Sequence, residues 1–379
     1  MVHSLERIDL GPTAPGTTRT LRLHRFGAAG GRPKAFIQAS LHAGETPAML
    51  AAHHLLRLLL QAEVEGRITG EIVLLPYANP VGLSQHFMGE IAGRYDMAGS
   101  GNFNRAWPDL AAPLLGMIGE RLTDDAAGNV ALIRGEMRAL VEALRPVKEV
   151  DRLRKALAFE ACDADVVLDL HCDDESLLHL FLVPQSWPDG ADLAAELGAH
   201  AVLLAEDSGG GSFDEAFSGP WLRLAAAFPD RPIPLPCFST TVELRGFPDV
   251  NDALAEADAA ALFRFLQRRG LIAGDPGPLP PLACDATRLD ACDTMKAPAA
   301  GIVSYRAGLG RTVRKGEVVA DLIDPAADDP EAGRSTLVAG TDGLVLSRRT
   351  HKYVFPGSSV AKIVGREPLP YRTGLLLED

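Results

Sequence analysis

The run Ala35-Phe36-Ile37-Gln38-Ala39 is followed closely by Thr46-Pro47-Ala48-Met49, and later by Gly70-Glu71-Ile72-Val73-Leu74-Leu75-Pro76. Short apolar runs bounded by turn-forming residues are strands buried on both faces. The segment between them opens a helix, because proline stands near its first position and apolar residues recur at 49, 50, 55, 56, 59 and 60. Strand, helix and strand in this order close as a right-handed crossover. The fold class predicted is α/β: a mostly parallel or mixed sheet flanked by helices.

The rest of the chain extends this pattern. Residues 17–26 alternate and predict an edge strand, and residues 130–160 carry helical spacing. Strands are predicted at Val166–Leu170, Leu178–Val183, Ala201–Leu204 and Thr240–Leu244, and a helix from about Val250 to Arg269. A chain of 379 residues exceeds one ordinary core, so two domains are expected. The stretch Gly270-Leu-Ile-Ala-Gly-Asp-Pro-Gly-Pro-Leu-Pro-Pro281 reads as a linker. The expected division is residues 1–270, a linker over 271–283, and a small all-β domain over 284–379, where short strands alternate with glycine turns. Its halves, 297–323 and 338–363, are loosely alike.

A net charge of −13 argues against nucleic-acid or anionic-membrane partners. The first ten residues lack a basic region before an apolar core, so no secretory signal is expected, and no apolar stretch is long enough to span a bilayer. Five cysteines without a C-x-x-C pair make disulfides unexpected and a cytoplasmic location the default.

The chemistry gathers where strands end. Leu41-His-Ala-Gly-Glu45 follows the first buried strand, and Asp169-Leu-His171 ends a later one. His-x-x-Glu alone is equally a solvated helix start. Together, His42, Glu45 and His171 make two imidazoles and a carboxylate, a set that holds one zinc ion and leaves a position for water. Asp169, two residues before His171 and so on the same strand face, is placed to orient that imidazole. Hydrolysis at a metal needs a base, and Glu243, inside Thr240-Thr-Val-Glu-Leu244, fits that role; its alternative is an outward glutamate paired with Arg245. Asn104 and Arg105, side by side in Gly101-Asn-Phe-Asn-Arg105, would clamp a substrate carboxylate, and Arg94 precedes them by eleven residues.

His-x-x-Glu, Asn-Arg, Asp-Leu-His and Thr-Val-Glu-Leu in this order resemble the succinylglutamate desuccinylase/aspartoacylase family of zinc carboxypeptidase-like hydrolases, over roughly residues 30–270. The resemblance implies zinc on His42, Glu45 and His171, and Glu243 as general base and proton shuttle. It implies Asn104 and Arg105 on the substrate carboxylate, and Arg94 polarising the scissile carbonyl. Two departures stand out. Asp-Leu-His is followed by Cys172-Asp-Asp-Glu175, where the family often has threonine and small residues. Arg245-Gly246 follows Thr-Val-Glu-Leu and adds a positive group near the base, a further candidate for substrate binding. Cys172 as a fourth ligand is disfavoured, because adjacent strand residues point oppositely. The run Ser208-Gly-Gly-Gly-Ser-Phe-Asp-Glu215 reads either as a lid over the cleft or as a plain surface loop.

The tail resembles the β-barrel of biotinyl and lipoyl carrier domains. The hairpin between its halves, about Asp324 to Ser335, holds no lysine, and Lys296 is expected to precede the first strand, so modification is not expected. The barrel reads as a cap that restricts access or supports assembly, including a homo-oligomer. The function expected is removal of an acyl group from a small-molecule N-acyl amino acid or similar amide. Short-peptide carboxypeptidase and a non-catalytic metal-binding or interaction protein are the alternatives.

Overall fold

The computed structural model describes residues 3–377. A nine-stranded mixed sheet forms its centre. In chain order the strands are β1 (Ser4–Asp9), β2 (Thr20–Phe26), β3 (Lys34–Ala39), β4 (Glu71–Leu75), β5 (Val166–Asp173), β6 (His179–Leu182), β7 (Ala201–Leu204), β8 (Phe238–Gly246) and β9 (Ala286–Arg288). Their order across the sheet is β1-β2-β4-β3-β5-β8-β6-β7-β9. β4, β3, β5 and β8 run parallel, and every residue of β3 and β4 is buried. That is the burial the two short apolar runs demand, since helices cover both faces of such strands. β6 joins β8 antiparallel, which makes the sheet mixed.

The principal helices are α1 (Thr46–Val64), α2 (Ala126–Ala143), α3 (Glu149–Ala161), α4 (Phe213–Ala227) and α5 (Asp252–Arg268). α1 begins with proline in its first turn and packs with α5 on one face of the sheet, sharing a core with Phe26, Ile37, Leu168 and Phe265. α2, α3 and α4 cover the other face around Phe36, Val73, Leu157 and Trp221. The helical spacing over 130–160 is thus two helices, broken around Pro146. The strand at Thr20–Phe26 is not at the edge: β1 pairs along it in antiparallel register from Ser4↔Arg25 to Asp9↔Thr20. α4 was not foreseen, because Gly219-Pro220 lies inside it.

Beyond Gly270 the chain forms β10 (Cys292–Lys296), β11 (Gly301–Tyr305), β12 (Val318–Ile323), β13 (Arg334–Val338), β14 (Gly343–Arg348), β15 (Tyr353–Val354) and β16 (Ser359–Val364). They make two antiparallel sheets, β13-β12-β11-β15 and β14-β16-β10, around a small core of Val303, Val319, Leu337, Val345, Val354 and Ile363. The loop between β12 and β13 spans the hairpin region named above, and Lys296 ends β10 rather than preceding it. This β-region is stitched to the central sheet. Glu175–Ser176 adds to β14, and β9 closes the edge of the large sheet beside β7.

Candidate metal centre and active site

His42 and Glu45 lie in the tight connection between β3 and α1, and His171 lies near the end of the adjacent β5. All three are buried, and their candidate ligand atoms fall within 4.8 Å of one another. Glu45 bridges the two rings: Oε1 is 3.0 Å from His42 Nδ1 and Oε2 is 2.7 Å from His171 Nδ1. The far nitrogens are occupied. His42 Nε2 donates to Asn102 Oδ1 at 2.8 Å, and His171 Nε2 lies 2.9 Å from Asp169 Oδ2. Asp169 is held in turn by Gln38 Nε2 at 2.9 Å. Both imidazoles therefore turn Nδ1 toward one point, the arrangement a metal site needs from the groups behind its ligands.

Burial alone would raise the Glu45 carboxyl, but His171 and His42 beside it hold it well below the ordinary carboxylate range. Burial would lower His171, yet Asp169 and Glu45 on its two sides lift it well above the ordinary imidazole value. A proton on His171 answers the two carboxylates between which it lies. A divalent cation at the Nδ1 side would do the same with more charge. Two imidazoles and one carboxylate, converging and buried, fit such an ion.

Glu243 stands beside His171 in the parallel register of β8 on β5. Its Oε2 is buried without a hydrogen-bond partner among the described residues. Burial, with Glu45 and Asp173 nearby, pushes its carboxyl up to about 8 although His171 pulls the other way. A half-buried acid of this kind can take and return a proton near neutral pH. Asn104 is buried; its Oδ1 accepts from Phe213 N–H at 2.8 Å and Trp107 Nε1 at 3.2 Å, and its Nδ2 lies 3.5 Å from His171 Nε2. Arg105 donates to the Asn104 carbonyl at 2.8 Å and lines the same cavity. Arg94 brings Nη1 to 3.3 Å from His42 Nδ1 and 3.7 Å from Glu45 Oε1.

The structure does not bring Arg245 to this cavity. Regular alternation would put it on the side of Glu243, but the register shifts after Glu243 and Arg245 adopts a φ of 65°. Its guanidinium turns to α5 and pairs with Asp258. Cys172 lines the cavity, and its N–H donates to Glu45 Oε2 at 3.2 Å, but its thiol is outside the converging ligand set; burial raises the thiol strongly. The residues 208–215 lie at the cavity wall, with Ser208, Ser212, Asp214 and Glu215 facing it.

The cavity measures about 560 Å³, and the β-region supplies part of its wall through Arg348, Arg349, Lys362 and Arg372. Three features escaped the sequence. Asn102 carries a signal, since it stands two residues before Asn104 in the same Asn-x-Asn motif. Asp214 and the half-buried Lys362–Asp173 pair, 2.6 Å apart, carry none, because Thr241 meets Asp214, and Lys362 meets Asp173, from remote segments.

Residues 32–120 match the model of the succinylglutamate desuccinylase/aspartoacylase catalytic domain. The chain resembles that family. A protein assigned to it from Shewanella frigidimarina superposes with a TM-score of 0.82 at 24% identity, covering 96% of this chain and 97% of that one. Another from Shewanella amazonensis gives 0.81 at 25% identity, covering 95% and 98%. The product-bound ectoine utilization protein EutE (DoeB) from Ruegeria pomeroyi gives 0.65 at 18% identity, covering 97% and 95%. Among curated proteins, none matches the chain in sequence. Both names joined in the family, desuccinylase and aspartoacylase, belong to hydrolytic deacylases of small acylated amino acids. A cavity with a buried His-Glu-His group is suited to the same class of reaction.

Proposed function

We propose that this chain is a zinc-dependent amidohydrolase that removes the acyl group from an N-acylated amino acid. The observation that carries this is the convergence of His42, Glu45 and His171 beside the unpartnered Oε2 of Glu243, in the cavity that also holds Asn104 and Arg105. Zinc on two imidazoles and a carboxylate supplies Lewis acidity to water and to the amide carbonyl. Glu243 takes one proton from the attacking water as its oxygen adds to the carbonyl carbon. It returns that proton to the amide nitrogen as the carbon–nitrogen bond breaks. Arg94 faces the carbonyl oxygen and offsets the charge developing there. Asn104 and Arg105 hold the carboxylate of the amino acid and so position its amide against Glu243. Asp169 and Asn102 keep the imidazoles aimed. Residues 1–270 carry the chemistry in this scheme, and residues 284–379 wall the cavity. That wall favours a small acyl amino acid over a longer peptide. Five free cysteines suit the cytoplasm, and no helix among the described residues is long and apolar enough to cross a membrane.

The test is an assay of zinc-loaded and chelator-treated protein against N-acetyl, N-succinyl and N-formyl amino acids, with dipeptides alongside. Turnover of acyl amino acids, lost on chelation and restored by zinc, is expected. Preference for dipeptides would make it a carboxypeptidase, and zinc binding without turnover of either would make it a binding protein.

A further inference from the structure

After β16 the chain turns back along the cavity as a strap, residues 369–377, which belongs to no helix or strand. Few bonds hold it. Leu369 N–H donates to the Asp290 carbonyl at 2.9 Å, Tyr371 Oη to Asp293 Oδ1 at 3.1 Å, and Leu376 N–H to the Ser208 carbonyl at 2.7 Å. Arg372 Nη2 donates back to the Leu376 carbonyl at 2.6 Å. Leu376 and Leu377 line the cavity and pack on Leu203 and Leu289, whereas Tyr371 and Leu375 are more than half exposed. A segment with so few bonds and so much surface in water opens at little cost to the fold. Its leucines nevertheless take up part of the cavity wall.

The strap also meets the glycine run 208–211, and the run meets the proposed carboxylate clamp. A Cβ at Gly209 would stand 2.9 Å from Leu375 Cα and 3.0 Å from the Gly374 carbonyl oxygen, and its φ of 82° suits glycine as well. A Cβ at Gly210 would stand 3.0 Å from Arg105 Nε. The glycines therefore let the strap come close on one side and the Arg105 guanidinium on the other. Glu378 and Asp379 follow Leu377 in the sequence, and two extended residues reach about 7 Å. Carboxylates on such a tether have the chemistry that Arg94 and Arg105 would meet in a substrate carboxylate. Resting on the deacylase reading above, we propose that the segment from Tyr371 onward is an autoinhibitory strap. Its acidic residues compete with the substrate for Arg105, and its leucines hold it in the cavity wall until substrate displaces it.

Two variants of the zinc-loaded protein test this: one ending at Pro370, and the full chain carrying E378Q/D379N. With the acyl amino acid that the wild type turns over best, truncation is expected to lower KM at least fivefold with kcat within twofold. The full-length double variant keeps every described contact of the strap and is expected to lower KM at least threefold. An unchanged or raised KM in the double variant overturns the proposal whether or not the truncated protein folds. A synthetic peptide of residues 371–379, added to the truncated protein, should inhibit competitively, and its E378Q/D379N form at least tenfold less tightly. Calorimetric titration of that peptide into the truncated protein separates the strap from the reaction itself. Binding that R105Q weakens at least tenfold supports the strap even if no acyl amino acid is turned over. No binding, or binding that R105Q leaves unchanged, overturns it.

Discussion

Glu243 and His171 stand side by side on neighbouring strands and line one cavity, one as an acid lifted by burial and the other as a candidate ligand. Replacing Glu243 by glutamine keeps the shape and removes the proton carrier. kcat should fall by roughly a thousandfold while zinc content stays at one per chain, measured by elemental analysis beside the assay. Activity within tenfold of wild type would remove Glu243 as the base. His179, fully buried on β6, is lowered to about 4, chiefly by burial. Between that value and the unfolded value of about 6.5, the unfolded chain binds a proton that the folded one does not, so the contribution of His179 to stability is lost as pH falls through this window. Glu243 and Asp214 shift the opposite way, and their contributions fall as pH rises toward 8 and 7. The two trends separate in a variant. In His179→Phe, the stability change between pH 7 and 4.5 should differ from wild type by roughly 2 to 3 kcal/mol, read from urea midpoints.

Turning to elements, the connection from β3 to α1 carries two of the three ligands and is gripped from outside. Ala43 N–H donates to the Gly93 carbonyl at 3.0 Å, and a Cβ at Gly93 would stand 2.6 Å from Ala43 Cβ and 3.0 Å from Gly44 N. Gly93→Ala should push the connection out of place, lowering stability by about 1 to 3 kcal/mol and zinc affinity at least tenfold. Competition with a chromophoric chelator reads the affinity, and a value within twofold of wild type would show that the connection is not held this way. β3, β4, β5, β6 and β7 were legible because each holds a compact apolar run, β8 because Thr240, Thr241 and Val242 are β-branched, and α1 because proline and helical periodicity agree. α4 was hidden by Gly219-Pro220, although Phe213, Phe217, Trp221 and Leu224 are spaced to bury one helical face and do so. Tertiary packing on that face outweighs the local break. β1 was missed because an outer strand lacks a compact apolar run: its residues alternate between half-buried and exposed.

Across the whole molecule, the β-region is tied to the central sheet beside the active site. Lys362 on β16 places Nζ 2.6 Å from Asp173 Oδ2 on β5, and Glu175 takes Arg348 at 2.9 Å and Lys352 at 2.6 Å. Burial would raise Asp173, but Lys362 draws it down to about 2. Lys362 also lowers Glu243 through space. Lys362→Met should cost about 2 kcal/mol, less than a fully enclosed pair because both side chains keep some exposure. It should also move the acid limb of the kcat/KM profile upward as Glu243 holds its proton more tightly. An unchanged profile would confine Lys362 to a structural role. Periodicity and composition, which depend on near neighbours along the chain, were enough to determine the α/β class, the strand ends bearing His42 and His171, and the β-rich tail. Only the folded sheet decided which of these groups meet. Glu45 reaches His171 across 126 residues and Asn102 reaches His42 across 60. The turn of Arg245 toward Asp258 and the seat of Asp214 in the cavity wall were settled the same way. Strand order and a single left-handed residue set such contacts, and neither leaves a local period to read.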